Sequence, residues 1–391
     1  MWVSVSGLPA RLSLATAVGA CFRHCRRQTG AGFLTRPRRC LSQSCVELRS
    51  LPKAGKSGAP SNNGKWQRLF PGSAQVANTV ARLLQAGPPG AGPRVLECNP
   101  GPGMITSALL NAGLRVVALE SDLTFLQYLM TLKNRLDGQL EVIYCDFFLR
   151  DISNRTVSPP AMYTETLFKN LGIKEVPWAA DVPVKIVGFL PTKSERNVLW
   201  KLLYDLYSCS SIYNYGRIEL NMFISEKEYK KITSKPGEKY YQPISVLWQT
   251  ACEIKLLHME PLSSFVTFKN GSLVSLKNKE LENKHLCFIR LTPRRNLFTD
   301  NLTPVNSYNF MCLVKQCLIK RKSKLIDMFS SWCICDPEAL LQQLNKQNHE
   351  LIDSLYPEDF KHLFEALERS ETFTQKWIYD HFIQNATLSS P

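Results

Sequence analysis

The chain has 391 residues, of which 44% are hydrophobic and 21% charged, so it is long enough for two or three domains and has the composition of an ordinary folded protein. No stretch approaches 18 uncharged apolar residues, which argues against a transmembrane helix and against a membrane as a partner. The formal net charge of +15 favours an anionic partner, with nucleic acid the first candidate.

The first 46 residues contain seven Arg but no Asp or Glu, and Ser and Thr are scattered among them. This composition is typical of a mitochondrial transit peptide, whereas a secretory signal needs a longer apolar core than the one that Pro9 and Arg11 interrupt. We therefore predict that residues 1–46 are a transit peptide and that the mature chain resides in the mitochondrial matrix. Removing these seven Arg leaves 41 basic and 33 acidic residues, a net charge of +8.

Residues 47–64 are rich in Pro, Gly, Ser and Asn, which predicts a flexible linker. A helix is predicted next within residues 73–87, with Ser73 as a possible cap. Thirteen Cys are spread over the chain without paired C-x-x-C or Cys/His spacing, so buried thiols are expected rather than zinc ligands, and no metal site is predicted.

Residues 65–293 alternate between strand-like and helix-like patterns. This alternation predicts an α/β domain with a mainly parallel sheet and helices on both faces. The connection over residues 150–183 is long and is expected to be an insertion over a site. The runs "RIELNMFIS", "TACEIKLLHME", "SSFVTF" and "HLCFIRLTP" predict later strands in an antiparallel edge. The first strands are predicted at residues 94–98, 115–120, 141–147 and 184–190, with helices near 104–112 and 122–136.

The pattern changes after Pro293. Apolar residues recur at helical spacing in "YNFMCLVKQCLIKRKSK" and "PEDFKHLFEALERS", and "DPEALLQQLNK" predicts another helix. Residues 294–391 are therefore predicted to form a small all-α domain.

The stretch "LECNPGPGMITSALL", residues 96–110, predicts a buried strand, a glycine turn and a helix whose first residues face a pocket. Gly101 and Gly103 allow positive φ and a close approach of ligand to backbone. Acids stand at three successive strand ends, Glu97, Glu120 and Asp146, and are expected to converge on one crevice. Glu120 is suited to the hydroxyls of a ribose and Asp146 to an adenine amine. Single acids of this kind are often solvated strand ends, but their joint spacing favours a nucleotide-like cofactor, either NAD or S-adenosyl-L-methionine.

Several segments together resemble the bacterial-type rRNA adenine dimethyltransferase family. They are "LECNPGPGMITSALLNAGLRVVALESD", "VIYCDFF", "VGFLPT", "NMFISEKEY" and "HMEPLSSF", and the resemblance spans about residues 65–391. It implies a class I S-adenosyl-L-methionine-dependent methyltransferase (Rossmann-like) fold followed by a helical domain. NAD is disfavoured because Thr106 stands at the last glycine of a G-x-G-x-x-G turn.

The resemblance implies which residues bind the cofactor. Glu120 matches the acid for the ribose, Asp146 the acid for the adenine ring, and Gly101 and Gly103 the turn glycines. The family's first turn glycine is Asn99 here, which tolerates a left-handed backbone but narrows the approach to the methionine end.

Two further family motifs are altered. The upstream Q-N-F-L motif aligns with "RLFP", which keeps Phe70, puts Pro71 in place of a cofactor-contacting Leu, and puts Leu69 in place of a polar Asn. Pro71 is still expected to pack at that position.

The acceptor motif N-L-P-Y aligns with Phe189, Leu190, Pro191 and Thr192. In that family the Asn oxygen accepts from the adenine amine and orients it for methylation, and the Tyr stacks on the flipped base. Phe189 has no acceptor and Thr192 no ring, so methylation is expected to be weak and no catalytic residue is assigned. Phe189 either stacks on a base or fills the vacant pocket.

Two functions follow from the resemblance. Within the family, the leader and "ECNPGPG" are most similar to a mitochondrial paralogue, which implies an initiation factor of the nucleoid that joins mitochondrial RNA polymerase, promoter DNA and the other initiation factor and helps melt the promoter. The alternative is an active dimethyltransferase of two adjacent adenines in small-subunit mitochondrial rRNA. Basic runs at residues 292–296 and 320–324 and the "KEYKKITSKPGEK" loop are candidate nucleic-acid contacts or solvated faces.

Overall fold

The computed structural model describes residues 68–85, 93–136, 138–151, 158–269, 271–276, 283–332 and 336–369. The predicted transit peptide and the predicted linker lie outside the described residues, as do Cys333 and Cys335, which are spaced C-x-C. Over the described ranges no helix is long and apolar enough to cross a membrane.

The strands form a seven-stranded sheet and a separate three-stranded sheet. In chain order the strands are β1 (Leu69–Pro71), β2 (Arg94–Cys98), β3 (Val116–Glu120), β4 (Leu140–Tyr144), β5 (Val184–Phe189), β6 (Glu219–Ser225), β7 (Cys252–Pro261), β8 (Phe265–Lys269), β9 (Ser272–Ser275) and β10 (His285–Pro293). The large sheet has the order β4-β3-β2-β5-β6-β10-β7, and β4, β3, β2, β5 and β6 run parallel. The chain order reverses between β2 and β5, and open α/β sheets bind ligands beside such a reversal.

Helices flank both sheet faces and follow the last strand. They are α1 (Ala74–Leu84), α2 (Met104–Asn111), α3 (Leu123–Lys133), α4 (Thr164–Asn170), α5 (Glu195–Tyr207), α6 (Glu226–Ile232), α7 (Pro243–Ala251), α8 (Ser307–Ile319), α9 (Leu325–Ser331), α10 (Pro337–Gln343) and α11 (Pro357–Glu368).

The central strands are apolar because both faces of the sheet are covered. In β3, Val117 and Leu119 belong to one apolar cluster, and Val116 and Ala118 belong to another on the opposite face. Alternate residues of a strand point to opposite faces, so a continuous apolar run is what a doubly covered parallel sheet requires. The predicted α/β class with a mainly parallel sheet is confirmed.

The C-terminal region is helical, as predicted, and packs into the core of the sheet. The ring of Phe310 in α8 lies 5.8 Å from that of Tyr207 in α5 and 5.4 Å from that of Phe364 in α11. These side chains belong to the same apolar cluster as Leu220 of β6, so the core is continuous across residue 293.

Some predicted elements differ in the structure. Strand β6 was expected in an antiparallel edge but pairs parallel with β5, because α5 carries the chain back across the sheet between them. Strand β8 lies between β1 and β9 in the small antiparallel sheet. Helix α6 covers part of the predicted "KEYKKITSKPGEK" loop. It begins where the Ser225 hydroxyl accepts from the Glu228 backbone N–H, and its seven residues are too few to show a clear helical period.

Phe310 tests whether the C-terminal helices share stability with the sheet. We expect Phe310→Ala to lower the free energy of unfolding by about 3–5 kcal/mol, because it removes a fully buried ring. Ile319→Ala on the same helix removes a side chain that is 69% exposed, and should cost less than about 0.5 kcal/mol. Urea unfolding measures both, and equal losses would contradict the shared core.

Candidate cofactor site

The turn after β2 has an unusual backbone. Asn99, Gly101 and Gly103 have φ angles of 49°, 61° and 74°, all in the left-handed region. Glycine adopts this region freely and Asn tolerates it better than most residues, so Asn99 preserves the turn as predicted. Gly103 directly precedes α2, which places the helix N-terminus beside the turn.

The ring of Phe70 leaves no room for a side chain at position 101. A Cβ added to Gly101 would lie 2.1 Å from Cε1 of Phe70. Phe70 in turn packs edge-on against Phe125 of α3, with ring centroids 5.5 Å apart. The turn is therefore shaped by the chain's own aromatic side chain.

Glu120 is fully buried at the carboxyl end of β3 and is the most heavily hydrogen-bonded acid of the site. Its Oε1 accepts from the backbone N–H groups of Ser121 and Asp122 at 2.8 and 2.7 Å. Its Oε2 accepts from the Gly101 backbone N–H at 2.8 Å. Arg68 donates to both oxygens, from Nη1 and Nη2, at 2.7 Å each. Because a carboxylate has about four acceptor positions, these five donors fill it.

Arg68 is held in place by more than this ion pair. Its Nη2 also donates to the Asn99 carbonyl oxygen at 2.8 Å, and its guanidinium carbon lies 5.3 Å and 5.6 Å from the ring centres of Phe70 and Phe125. The side chain keeps 24% of its surface exposed. Such bidentate, charge-assisted contacts are among the strong hydrogen bonds of proteins. The sequence prediction missed Arg68, although a fully buried acid signals the need for a cation.

Asn99 and Asp146 are joined across the crevice. Asn99 Nδ2 donates to Asp146 Oδ1 at 3.1 Å, and the Ser121 hydroxyl donates to Asn99 Oδ1 at 3.0 Å. Asp146 Oδ1 also accepts from the Phe148 backbone N–H. The Asn99 side chain therefore bridges the ends of β3 and β4. Its hydrogen bond occupies one carboxylate oxygen of Asp146, the acid predicted to bind an adenine amine.

A cavity of about 1250 Å³ lies at the carboxyl ends of β2, β3 and β5. Its wall contains Asn99, Asp146 and all four residues of the predicted acceptor segment. Gly101, Gly103 and Glu120 lie behind this wall. Pro71 lies in β1, an edge strand, where a residue without a backbone N–H is tolerated. Charged side chains in the wall are Arg68, Asp122, Asp146, Lys193 and Lys269. The predicted residues that do not line the cavity are Pro71, Gly101, Gly103 and Glu120.

The connection over residues 150–183 does not cover this cavity, contrary to the prediction. None of its described residues lines the wall. Leu167 and Phe168 of α4 are instead buried in the apolar cluster on one face of the sheet. The connection extends the core because its apolar residues find a face of the sheet to cover.

Phe189 is packed into an aromatic cluster. Its ring stacks on Phe223 of β6 with centroids 4.6 Å and planes 12° apart, and Phe265 meets its edge at 5.7 Å. Phe223 also contacts Phe288 of β10 at 4.7 Å. These contacts favour the interpretation in which Phe189 fills the former acceptor pocket. Thr192 is exposed at the rim of the cavity.

The sequence matches the family model for ribosomal RNA adenine dimethylases over residues 73–369. The chain belongs to this family. Dimethyladenosine transferase 2, mitochondrial, of Homo sapiens is 44% identical over 395 residues, which cover 98% of this chain and 100% of that protein. The Mus musculus protein of the same name is 45% identical over 385 residues, 96% of each chain. A dimethyladenosine transferase structure from Plasmodium falciparum has a TM-score of 0.49 and 14% identity, and covers 75% of this chain and 95% of that one.

Membership of the rRNA adenine dimethylase family implies S-adenosyl-L-methionine as the cofactor, and the names of the relatives place the chain in mitochondria. The crevice suits this cofactor: Asp146 faces the cavity, the turn is left-handed as the family pattern requires, and Glu120 ends the neighbouring strand. When bound, the cofactor supplies a methyl group on a sulfonium.

Glu97 was grouped with the acids of the crevice, but the structure places it elsewhere. Its carboxylate is buried against α2 and accepts from the Thr106 hydroxyl at 2.6 Å. Burial raises the pKa of the Glu97 carboxyl from 4.5 to about 8, with nearby Glu120 adding to the rise, while the Thr106 hydrogen bond opposes it. Glu97 is therefore largely protonated at neutral pH.

Glu97 gives the folded chain a distinctive pH dependence. Because its pKa is higher in the folded state, the folded chain holds an extra proton between about pH 4.5 and 8, and stability falls as pH rises through this window. One proton corresponds to about 1.4 kcal/mol per pH unit at most. We expect the isosteric variant Glu97→Gln to lose less free energy of unfolding than the wild type between pH 6 and 8. Parallel profiles in urea unfolding would contradict the buried, protonated state.

Proposed function

We propose that the protein is a mitochondrial transcription initiation factor, built on the scaffold of an rRNA adenine dimethyltransferase, that assists mitochondrial RNA polymerase in melting promoter DNA. The proposed partners are the polymerase, the promoter with its other initiation factor, and the nucleoid of the matrix. Methylation is secondary in this proposal. The proposal combines family membership, the altered acceptor segment and the basic surface.

The packing of Phe189 is the observation that carries the proposal. Where the family places an amide acceptor for the adenine amine, this chain has a ring stacked on Phe223. A phenyl ring accepts no conventional hydrogen bond, so it cannot aim the amine's lone pair at a methyl donor. A cavity of this size with cationic and aromatic walls still suits a single strand, through phosphate contacts and base stacking.

The basic runs identified in the sequence differ in whether their charges face solvent or are bound by other residues of the chain. Arg321 turns inward and donates to the carbonyl oxygens of Glu238 and Tyr241 at 3.2 and 3.0 Å. These bonds place the run over residues 320–324 beside the loop that follows α6. Exposed lysines from both segments therefore share one surface, which we call the lysine surface. Its members are Lys235, Lys239, Lys320, Lys322 and Lys324.

The run over residues 292–296 is engaged within the protein. Arg295 pairs with Asp181, and Arg294 Nε donates to the Gln249 carbonyl oxygen at 3.2 Å. It is a weaker candidate for phosphate contacts than the lysine surface, whose Lys320 and Lys324 form no ion pair with any described residue.

An active dimethyltransferase of two adjacent adenines in small-subunit mitochondrial rRNA is the second candidate. Asp146 and the left-handed turn favour it, because these features serve the cofactor and have no evident use in transcription. The lysine surface would then hold the RNA instead of the promoter.

Promoter-dependent RNA synthesis by purified mitochondrial RNA polymerase tests the main proposal. On linear duplex DNA, we expect transcripts only when the chain is added. The double variant Lys320→Glu, Lys324→Glu should reduce transcripts at least about fivefold, because phosphate contacts dominate the affinity for nucleic acid.

The matched control is Lys169→Glu, Lys174→Glu, which changes the net charge equally on exposed residues in and beside α4. It should leave synthesis unchanged. Transcripts that do not depend on the chain, together with methyl transfer from S-adenosyl-L-methionine to the rRNA hairpin, would replace the main proposal with the second candidate.

Restoring the acceptor motif tests the argument from Phe189. We expect Phe189→Asn with Thr192→Tyr to raise methyl transfer to the rRNA hairpin at least about tenfold, because the amide can again orient the amine. Phe189→Leu removes the ring without adding an acceptor and should give no gain. If the restored motif also gives no gain in a folded variant, the defect lies elsewhere, with Asn99 and Leu69 the first candidates.

A further inference from the structure

The ribose subsite of the crevice is filled by a side chain of the protein itself. Arg68 presents two N–H groups, one to each oxygen of Glu120, at 2.7 Å. A ribose presents two adjacent hydroxyls. In folds of this kind, an acid at the position of Glu120, at the carboxyl end of β3, accepts hydrogen bonds from both. The guanidinium thus makes the same pair of hydrogen bonds, to the same two atoms, that a ribose diol would make.

Both ligands cannot bind at once. Glu120 already accepts three backbone N–H groups, from Gly101, Ser121 and Asp122, so the two Arg68 bonds complete its acceptor capacity. Arg68 lines the cavity while Glu120, fully buried, does not. A ribose therefore reaches the carboxylate only after the guanidinium has moved.

The Arg68 side chain has open space beside it, but moving away from Glu120 would break several favourable contacts. It is 24% exposed and belongs to the cavity wall, so it borders open space into which it can swing. Leaving costs it two charge-assisted bonds, a bond to the Asn99 carbonyl oxygen, and its position beside the rings of Phe70 and Phe125. This cost is subtracted from the affinity of any ribose-containing ligand.

We infer that Arg68 is an internal competitor for the ribose subsite, which keeps the crevice closed to S-adenosyl-L-methionine until the arginine is drawn away. The inference concerns the binding equilibrium of the crevice and does not rest on the proposed role in transcription.

Calorimetric titration of the full chain with S-adenosylhomocysteine tests the inference. Arg68→Met keeps a long side chain between the two rings but removes every donor. We expect it to bind at least about tenfold more tightly than the wild type, whereas Arg290→Met, a paired arginine outside the cavity wall, should match the wild type. Binding of Arg68→Met that is equal to or weaker than the wild type overturns the inference.

A double-mutant cycle adds a readout that a general loosening of the site would not give. Glu120→Gln should weaken binding less than about twofold in the wild-type background, where the carboxylate is already occupied. In the Arg68→Met background the same change should weaken binding at least about tenfold. Equal effects in the two backgrounds contradict competition at Glu120.

The ligand itself supplies a second check. The 2′-deoxy analogue of 5′-methylthioadenosine lacks one of the competing hydroxyls, so Arg68→Met should gain more affinity for 5′-methylthioadenosine than for this analogue. If Arg68→Met does not fold, Arg68→Lys, which keeps the charge but loses the paired donors, takes its place with a smaller gain expected. Because no polymerase or DNA is present, failure here leaves the transcription assay untouched, and the reverse also holds.

Discussion

The buried carboxylate of Glu120 is the constraint on which the geometry of the crevice depends. A charge without solvent must be matched by donors, and the chain supplies them from three segments: the turn after β2, the start of α3 and the residue before β1. Satisfying one acid therefore aligns three segments that are far apart in the sequence. The Asp122 side chain continues the arrangement by accepting from the Thr124 backbone N–H and capping α3.

The aromatic side chains show how a residue of the cavity wall is also held by the core. Phe189 ends a central strand, where the fold exposes a side chain to ligand, yet its ring extends a stack that passes through Phe223 to Phe288. Aromatic pairs of this geometry add to the free energy that burial of their area provides. A phenyl ring at position 189 therefore has two consequences: the amide acceptor of the family motif is missing, and the packing between the strands is extended.

The sequence predicted those parts of the molecule whose signals are local. Strand β2 was predicted at its observed bounds, and long helices such as α8 were recognised because their apolar period runs over several turns. Asn99 was correctly expected to preserve the turn, because backbone preference is a property of the residue itself. Glu97 was misplaced because the sequence pattern of an acid at a strand end is the same whether its side chain faces a cavity or a helix. Arg68 was missed because its partner lies 52 residues away, and no local pattern reports such a contact.

The pairing of β1 with β8 has a consequence for how the chain acquires its crevice. Leu69 is opposite Thr267 and Pro71 is opposite Phe265, so the strand that positions Arg68 is held by residues almost two hundred positions later. A chain that leaves the ribosome or enters an organelle from its N-terminus has Glu120 and its three backbone donors in hand long before β8 arrives. Arg68 emerges earlier still, but its placement on the acid depends on the pairing of β1 with β8, a non-local contact of the kind that slows folding.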